Sequence, residues 1–336
     1  MANNIFGIDL GTNNIKIYNR GDDSIMVEKN MIAIENKKNL FAYGDSAYEM
    51  YEKAPGNIQI SYPLSNGVIA DIHNMETLVR YFINDLSRGA IKPADFYIAV
   101  PTDVTEVEKR AFYDLIRDAG VKAKRIMIVE KAVADGLGLD IDVKNSQGVL
   151  VVNVGYDTTE ISILSLGGIV LSRLIKGGGL KFDDAIRAAV RKEFSLLIGG
   201  KTAENVKFAL ADLEKEGKGA QVFGRDIVTG LPVEREIPTS LVDACLTENF
   251  NMIIDNVKVI LERTPPELAA DIYSHGVYLT GGASKVNHLA ELISTGTGLK
   301  VNVAAEPMNS VVLGIAKIIK DDNYKSVAYS IEGMSK

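Results

Sequence analysis

The sequence predicts an α/β protein whose strands and helices alternate around a mostly parallel core sheet. Three observations predict it: a strand–turn–strand pattern that occurs twice, a third apolar strand closed by a Gly-Gly turn, and capped amphipathic stretches between them. At 336 residues and roughly 150 residues per domain, the chain has room for about two domains, each able to bury its own core.

The paired pattern is Phe6-Gly-Ile-Asp-Leu-Gly-Thr-Asn-Asn-Ile-Lys-Ile-Tyr18 and Leu150-Val-Val-Asn-Val-Gly-Tyr-Asp-Thr-Thr-Glu-Ile-Ser-Ile-Leu164. In each, an apolar run suits a buried strand, and Ile15 and Ile17, then Ile161 and Ile163, alternate with the period of two of a half-buried one. Gly11 and Gly155 mark the bends. The turns Gly11-Thr12-Asn13-Asn14 and Gly155-Tyr156-Asp157-Thr158-Thr159 combine a glycine, small polar side chains and free backbone N–H groups, which suits phosphate oxygens. Asp9 and Asn153 stand two residues before the glycines, where an oxygen can reach a hydrated metal ion. A single copy reads as an ordinary hairpin; two copies, one opening each half, favour the phosphate reading.

The third strand is Gly276-Val-Tyr-Leu-Thr-Gly-Gly-Ala-Ser-Lys285, with a helix expected from Ala283 to about Leu292. Gly281 and Gly282 have no Cβ, so a flat base or sugar can approach the backbone. Thr105-Glu-Val-Glu108 is a capping box opening a core-facing helix that ends at Gly120. Ile126 to Val129 reads as a short strand running into a helix-like Glu130-Lys-Ala-Val-Ala-Asp-Gly136. Segment 180–215 reads as helical and places Glu204 and Lys207 three apart on one face, as site residues or as an exposed ion pair. Residues 216–239 look like a small β insertion, and Thr264-Pro-Pro-Glu267 starts a further helix.

Composition narrows the function. With 46% apolar, 24% charged and 7% aromatic residues, disordered, collagen-like and low-complexity classes are excluded. Thirty-seven basic against 44 acidic residues give a net charge of −7, with no Lys/Arg cluster, so nucleic acid is not an expected partner. The single Cys245 excludes an intrachain disulfide, and His73, His275 and His288 are too scattered for zinc spacing. The N-terminus lacks a signal-peptide pattern and no apolar run approaches a spanning helix, so a cytoplasmic location is expected.

The order of these motifs resembles the actin, sugar-kinase and heat-shock chaperone ATPase superfamily and, within it, the bacterial actins of the MreB family. The resemblance covers nearly the whole chain. It rests on the first turn, on Asn66-Gly-Val-Ile-Ala-Asp71 and Val100-Pro-Thr-Asp-Val-Thr-Glu-Val-Glu-Lys-Arg-Ala111, and more specifically on Thr229-Gly-Leu-Pro232, Arg263-Thr-Pro-Pro-Glu-Leu268 and Leu279-Thr-Gly-Gly282. It implies an actin-like ATPase fold of two domains, each with a large and a small subdomain, around a cleft for ATP or ADP with Mg²⁺. Domain I would be 1–143 plus 320–336, with its small subdomain at about 33–70. Domain II would be 144–319, with its small subdomain at about 182–245. The turns at Gly11 and Gly155 would clamp phosphates, Asp9 would hold Mg²⁺ through water, and Gly179, Gly281, Gly282, Ala283, Glu204 and Lys207 would line the rest of the cleft.

Departures from the family pattern bear on hydrolysis. Lys131 stands where the family carries a glutamate that positions the attacking water. A protonated lysine accepts no proton, although it can pair with phosphate. Glu130, next to it, is a substitute base. Asn153 replaces an aspartate, Tyr156-Asp157 replaces a glycine pair, and Thr158 and Thr159 remain as hydroxyl candidates. Asp157 would repel phosphate unless magnesium bridges them. The expectation is bound ATP hydrolysed slowly or barely at all, with drift away from nucleotide use as the alternative.

By the same resemblance the chain is expected to form a head-to-tail homopolymer serving cell shape or motility, with paired protofilaments a further option, like divergent paralogues of wall-less helical bacteria. A small-molecule kinase on the same fold and a nucleotide-independent scaffold are the alternatives. A chaperone would need a further domain beyond Lys336. Contact with the inner face of the membrane is weakly supported: the loop Arg88-Gly-Ala-Ile-Lys-Pro93 offers only Ile91, and the tail from Tyr324 to Lys336 is otherwise a frayed terminus.

Overall fold

The computed structural model describes residues 4–210, 219–286 and 288–332. Its first half opens with the meander β1 (Asn4–Leu10), β2 (Asn14–Asn19) and β3 (Ser24–Lys29). A smaller layer follows: β4 (Ile32–Glu35), β5 (Asn39–Tyr43), α1 (Asp45–Met50), β6 (Ile58–Ser61), β7 (Leu64–Ser65) and β8 (Val68–Ile69). Then come α2 (Ile72–Leu86), β9 (Ala94–Val100), α3 (Glu106–Asp118), β10 (Ala123–Glu130) and α4 (Lys131–Gly138).

The second half repeats the plan with β11 (Val149–Val154), β12 (Thr158–Ser165) and β13 (Gly168–Lys176). Its smaller part is α5 (Gly179–Phe194), β14 (Leu196–Leu197), α6 (Gly200–Leu210), β15 (Gly219–Asp226) and β16 (Pro232–Pro238). It continues with α7 (Thr239–Glu262), α8 (Pro266–His275), β17 (Val277–Thr280), α9 (Leu289–Thr297), β18 (Val301–Val303), α10 (Ser310–Lys320) and β19 (Ala328–Tyr329).

The core sheets are mixed rather than mostly parallel. In the order β19-β10-β9-β1-β2-β3 only the β1–β9 and β9–β10 pairs are parallel. In β13-β12-β11-β17-β18 only β11–β17 and β17–β18 are. The reason is the repeated motif itself: each strand–turn–strand unit is a hairpin, so each adds antiparallel strands to a parallel core. Every residue of β9 and of β11 is buried, as their near-continuous apolar runs, broken only by Asp95 and Asn153, require.

The capping box forms as expected, with Glu108 N–H donating to Thr105 Oγ1 and Thr105 N–H donating to Glu108 Oε2. Segment 180–215 is not one helix. Ser195 turns left-handed at φ 50°, ending α5, because Leu196–Leu197 pairs with β15, and helix resumes at Gly200. Residues 211–215 and the first three of the expected β insertion lie outside the described residues; the rest of that insertion is the β15–β16 hairpin. The helix expected from Ala283 is a short 3-10 turn, Gly282–Lys285, followed by α9 after a left-handed His288; Asn287 lies outside the described residues. The tail does not fray over its described part, since β19 pairs with Ile128 and Val129 of β10; residues 333–336 lie outside it.

Helices α4 and α10 cross between the two halves, and at two glycines their backbones touch directly. A Cβ on Gly138 would lie 1.8 Å from the carbonyl oxygen of Ser310, and one on Gly314 would lie 1.7 Å from that of Ala134. No real Cβ fits at either position, so glycine is required at both.

Candidate functional site

Antiparallel pairing around a short turn places Asp9 opposite Lys16 on the strand that returns. With Ile15 and Ile17 committed to the core face, Lys16 points the other way, and its ammonium meets the buried Asp9 carboxylate at 2.8 Å. Gly11 closes the turn with its N–H on the Asn14 carbonyl, 3.1 Å away, and an added Cβ would strike that oxygen at 2.7 Å. Asn30, fully buried, braces the loop by donating Nδ2–H to Gly11 O and its backbone N–H to Asn13 O, both at 2.9 Å.

The second turn repeats this geometry. Gly155 N–H donates to Thr158 O at 2.9 Å, and the start of α5 ties the loop down through Gly177, Gly179 and Leu180 N–H groups on Asp157, Gly155 and Tyr156 carbonyls. Asp157 reaches across the cleft, its carboxylate accepting the Asn66 N–H at the tip of the β7–β8 hairpin. The third turn crosses beside it. Gly281 has φ 89°, and a Cβ there would lie 2.3 Å from Val154 O, so only glycine lets these backbones meet.

These turns enclose a cavity of about 360 Å³ between the two sheets, the size of a small-molecule site. Every site residue expected from the sequence lines it except Glu130 and Thr159. Thr159 is buried and donates its hydroxyl to Gly177 O at 2.8 Å, so it holds the α5 turn. Glu130 points away, accepting from Tyr329 OH at 2.6 Å and Lys109 Nζ at 3.2 Å. It is not placed to serve as a substitute base.

Lys131 lines the cavity, but its charge is already matched by Glu160 Oε1 at 2.8 Å. Burial alone would lower the lysine's pKa. The carboxylates of Glu160, Asp9 and Asp135 outweigh it and hold Lys131 above the ordinary lysine range, so it is a fixed cation. Glu160 also accepts from Thr102 N–H at 3.3 Å, tying the first half to the second.

At the other end of the cavity Glu204 and Lys207 share α6 but do not pair with each other. Lys207, 3% exposed, reaches Asp183 of α5 at 2.7 Å. Burial pushes Asp183 up to about 6 against the pull of Lys207. Glu204 accepts from Tyr48 OH at 2.7 Å, across the cleft mouth. The Tyr48 ring lies between Lys29 and Lys201, with Nζ atoms 4.2 and 4.1 Å from its centroid. Burial and then the Glu204 bond hold the Tyr48 hydroxyl above its ordinary range, keeping it a donor.

Several lining or supporting residues escape sequence reading: Lys16, Lys29, Asn30, Glu160, Phe208 and Met308. Two had a signal. Aligning the repeat on Gly11 and Gly155 makes Lys16 and Glu160 equivalent, and both face the residue equivalent to Asp9 across their hairpins, Asp9 itself and Asn153.

Two sheets carrying matched phosphate-type turns on either side of one cavity define an actin-like fold. Residues 3–326 match the family described as MreB/Mbl protein. The chain is 36% identical over 312 residues to the cell shape-determining protein Mbl of Bacillus subtilis, covering 92% of this chain and 93% of that one. It is 34% identical over 329 residues to the cell shape-determining protein MreB of Escherichia coli, covering 95% and 94%. Among solved structures, MreB5 of Spiroplasma citri bound to ADP superposes with a TM-score of 0.90 at 35% identity, covering 97% of this chain and 98% of that one. The MamK double helical filament, at 19% identity, shares the fold with a TM-score of 0.79, covering 95% and 99%. The chain belongs to the MreB/Mbl family of bacterial actins.

Proposed function

We propose that this chain is a filament-forming bacterial actin of the cytoplasm that binds ATP or ADP with Mg²⁺ between its two halves and hydrolyses ATP slowly, in the service of cell shape or motility. Two domains, 1–143 with 320–336 and 144–319, are part of the same proposal, and the grouping of the core strands into two sheets supports it. Relatives support the ligand and the assembly: MreB5 of Spiroplasma citri is solved with ADP and with AMPPNP, and MamK as a double helical filament.

The chain's own residues fit the ligand. Residues of both turns line the cavity, as do Lys16 and Lys131, each paired with a carboxylate, and the glycine crevice at Gly281 and Gly282 suits a flat base. Among the described residues no cluster of three or more acidic, His or Cys side chains forms a metal cage. The available oxygens, on Asp9 and Asn153, therefore suit a magnesium ion that keeps most of its water and is held chiefly by phosphates. When bound, magnesium neutralises phosphate charge.

The observation that carries slow hydrolysis is the Lys131–Glu160 pair. A lysine held protonated cannot accept the proton of an attacking water, and losing a positioned base typically costs roughly 10²- to 10⁴-fold. Cavity carboxylates Asp9, Asp157 and Glu204 are each engaged by Lys16, Asn66 N–H and Tyr48, so nothing favours a kinase reading. Phosphate release and sedimentation, measured together with ATP, ADP or no nucleotide, test the proposal. Pelleting with little phosphate is expected; fast release by the natural protein overturns the hydrolysis argument, and no pelleting under any condition overturns the filament.

A further inference from the structure

Asn153 is the penultimate residue of β11, 5% exposed, at the entrance to the second turn. Its Nδ2 lies 2.5 Å from Oδ2 of Asp135 on α4. An ionised carboxylate only accepts, so this contact fixes the amide: the NH₂ faces α4 and Oδ1 faces the opposite side. That side is the cavity. A Cβ placed on Gly281 would meet Asn153 Oδ1 at 2.6 Å, and one on Gly155 would lie 4.0 Å from it, so the oxygen sits in the crevice between the two glycine turns.

Asp135 is itself held. Its Oδ1 accepts from Ser310 Oγ at 2.6 Å, and Thr280 Oγ1, 2.7 Å from Ser310 Oγ and 3.1 Å from Pro307 O, has one proton to give to either of them. Asp135, Asn153, Ser310 and Thr280 are all buried. The chain of bonds joins α4, β11, α10 and β17. A fully satisfied buried network of this kind selects one arrangement of its members.

We propose that Asp135 is a positioning residue that locks the Asn153 amide with Oδ1 toward the cleft, so that the second turn offers magnesium's water shell a neutral oxygen while the negative charge stands one layer behind. This rests on the nucleotide-binding reading above. It also accounts for asparagine rather than aspartate at 153. Two ionised carboxylates at the Asn153–Asp135 distance would repel and be forced to share a proton, so the pair is matched: one amide in front, one carboxylate behind.

The test is ADP affinity by titration calorimetry, with Mg²⁺ and with EDTA, together with thermal stability, in four proteins. These are the natural chain, Asp135→Ala, Asn153→Asp, and the exchanged pair Asn153→Asp/Asp135→Asn. The exchanged pair keeps the net charge and the amide–carboxylate bond but brings the carboxylate to the cleft. Removing an outer-shell partner typically costs 10- to 100-fold in metal affinity. Asp135→Ala should therefore lower the ratio of Mg²⁺ to EDTA affinity about tenfold, and the exchanged pair should raise it by about as much. Asn153→Asp alone should be less stable than the exchanged pair. A ratio unchanged in both Asp135→Ala and the exchanged pair, with ADP still bound, overturns the positioning role alone. Absence of ADP binding by the natural chain with or without metal overturns the nucleotide reading and this inference with it.

Discussion

The ammonium of Lys131, at the start of α4, lies 2.8 Å from the carboxylate of Glu160 on β12; Glu160 is buried and Lys131 is mostly so. The Lys131 cation is thus matched by the protein's own carboxylate rather than left for phosphate alone. Truncating one member of a buried pair leaves the other charged and unpaired. Lys131→Ala should therefore destabilise the fold by about 3–5 kcal/mol, whereas Lys131→Met/Glu160→Met should cost much less. Urea unfolding of the three proteins decides it; equal stability of both variants would show that the pair carries no coupling.

Phe208 is half-exposed on α6 yet lines the cavity, as does Met308 from the loop before α10. Stacking of a base on an aromatic face is worth about 1–3 kcal/mol. Phe208→Ala should weaken ADP binding about tenfold while leaving inorganic triphosphate binding unchanged. Calorimetry with both ligands separates a base contact from general damage to the cleft.

Tyr48 bridges the cleft mouth through its hydroxyl on Glu204, while Lys201 Nζ and the Gly200 N–H return to Tyr48 O and Glu52 of the first half. Tyr48→Phe removes the hydroxyl and keeps the ring between its two lysines. Release of a fluorescent ADP analogue, followed by stopped flow, should quicken several-fold. An unaltered rate would mean that the mouth does not limit exit.

Burial raises Asp135 to about 6, against the hydrogen bonds from Ser310 and Asn153 and the charge of Lys131. The folded pKa lies above the unfolded value near 3.9, so between these limits the native state binds the proton more readily. This group's contribution to stability is full below the unfolded pKa and is lost as pH rises through 6. Lowering pH from 7 to 5 should therefore stabilise the natural chain relative to Asp135→Asn by about 1 kcal/mol. Paired urea curves at the two pH values check the sign.

Much of this was legible because the chain says it twice. The repeated turn gave Gly11 and Gly155, and with them Asp9 and Asn153, from strand periodicity and glycine placement alone. Glu160 was legible only by pairing across each turn, a step that converts the repeat into register. What misled was spacing without depth. Glu204 and Lys207 stand correctly on one helix for an ion pair, yet Lys207 is buried against Asp183 on the neighbouring α5, and no local pattern encodes which helix packs there. Likewise Ser195 carries no glycine or proline signal; its left-handed turn follows from the strand that β15 needs beside it.

The crossing of α4 and α10 has a mechanical meaning. Carbonyls of one helix are seated against bare glycine Cα atoms of the other at Gly138 and Gly314, so at these two points no side chain acts as a cushion. Sliding along either axis drives backbone into backbone, while rotation about the point of contact leaves the separation unchanged. A contact this close suits a pivot better than a sliding joint. Were the cleft to open and shut about it, each phosphate-facing turn would travel along one arc. In the proposed filament, whatever set that angle in one subunit would set the tilt it passes to the next.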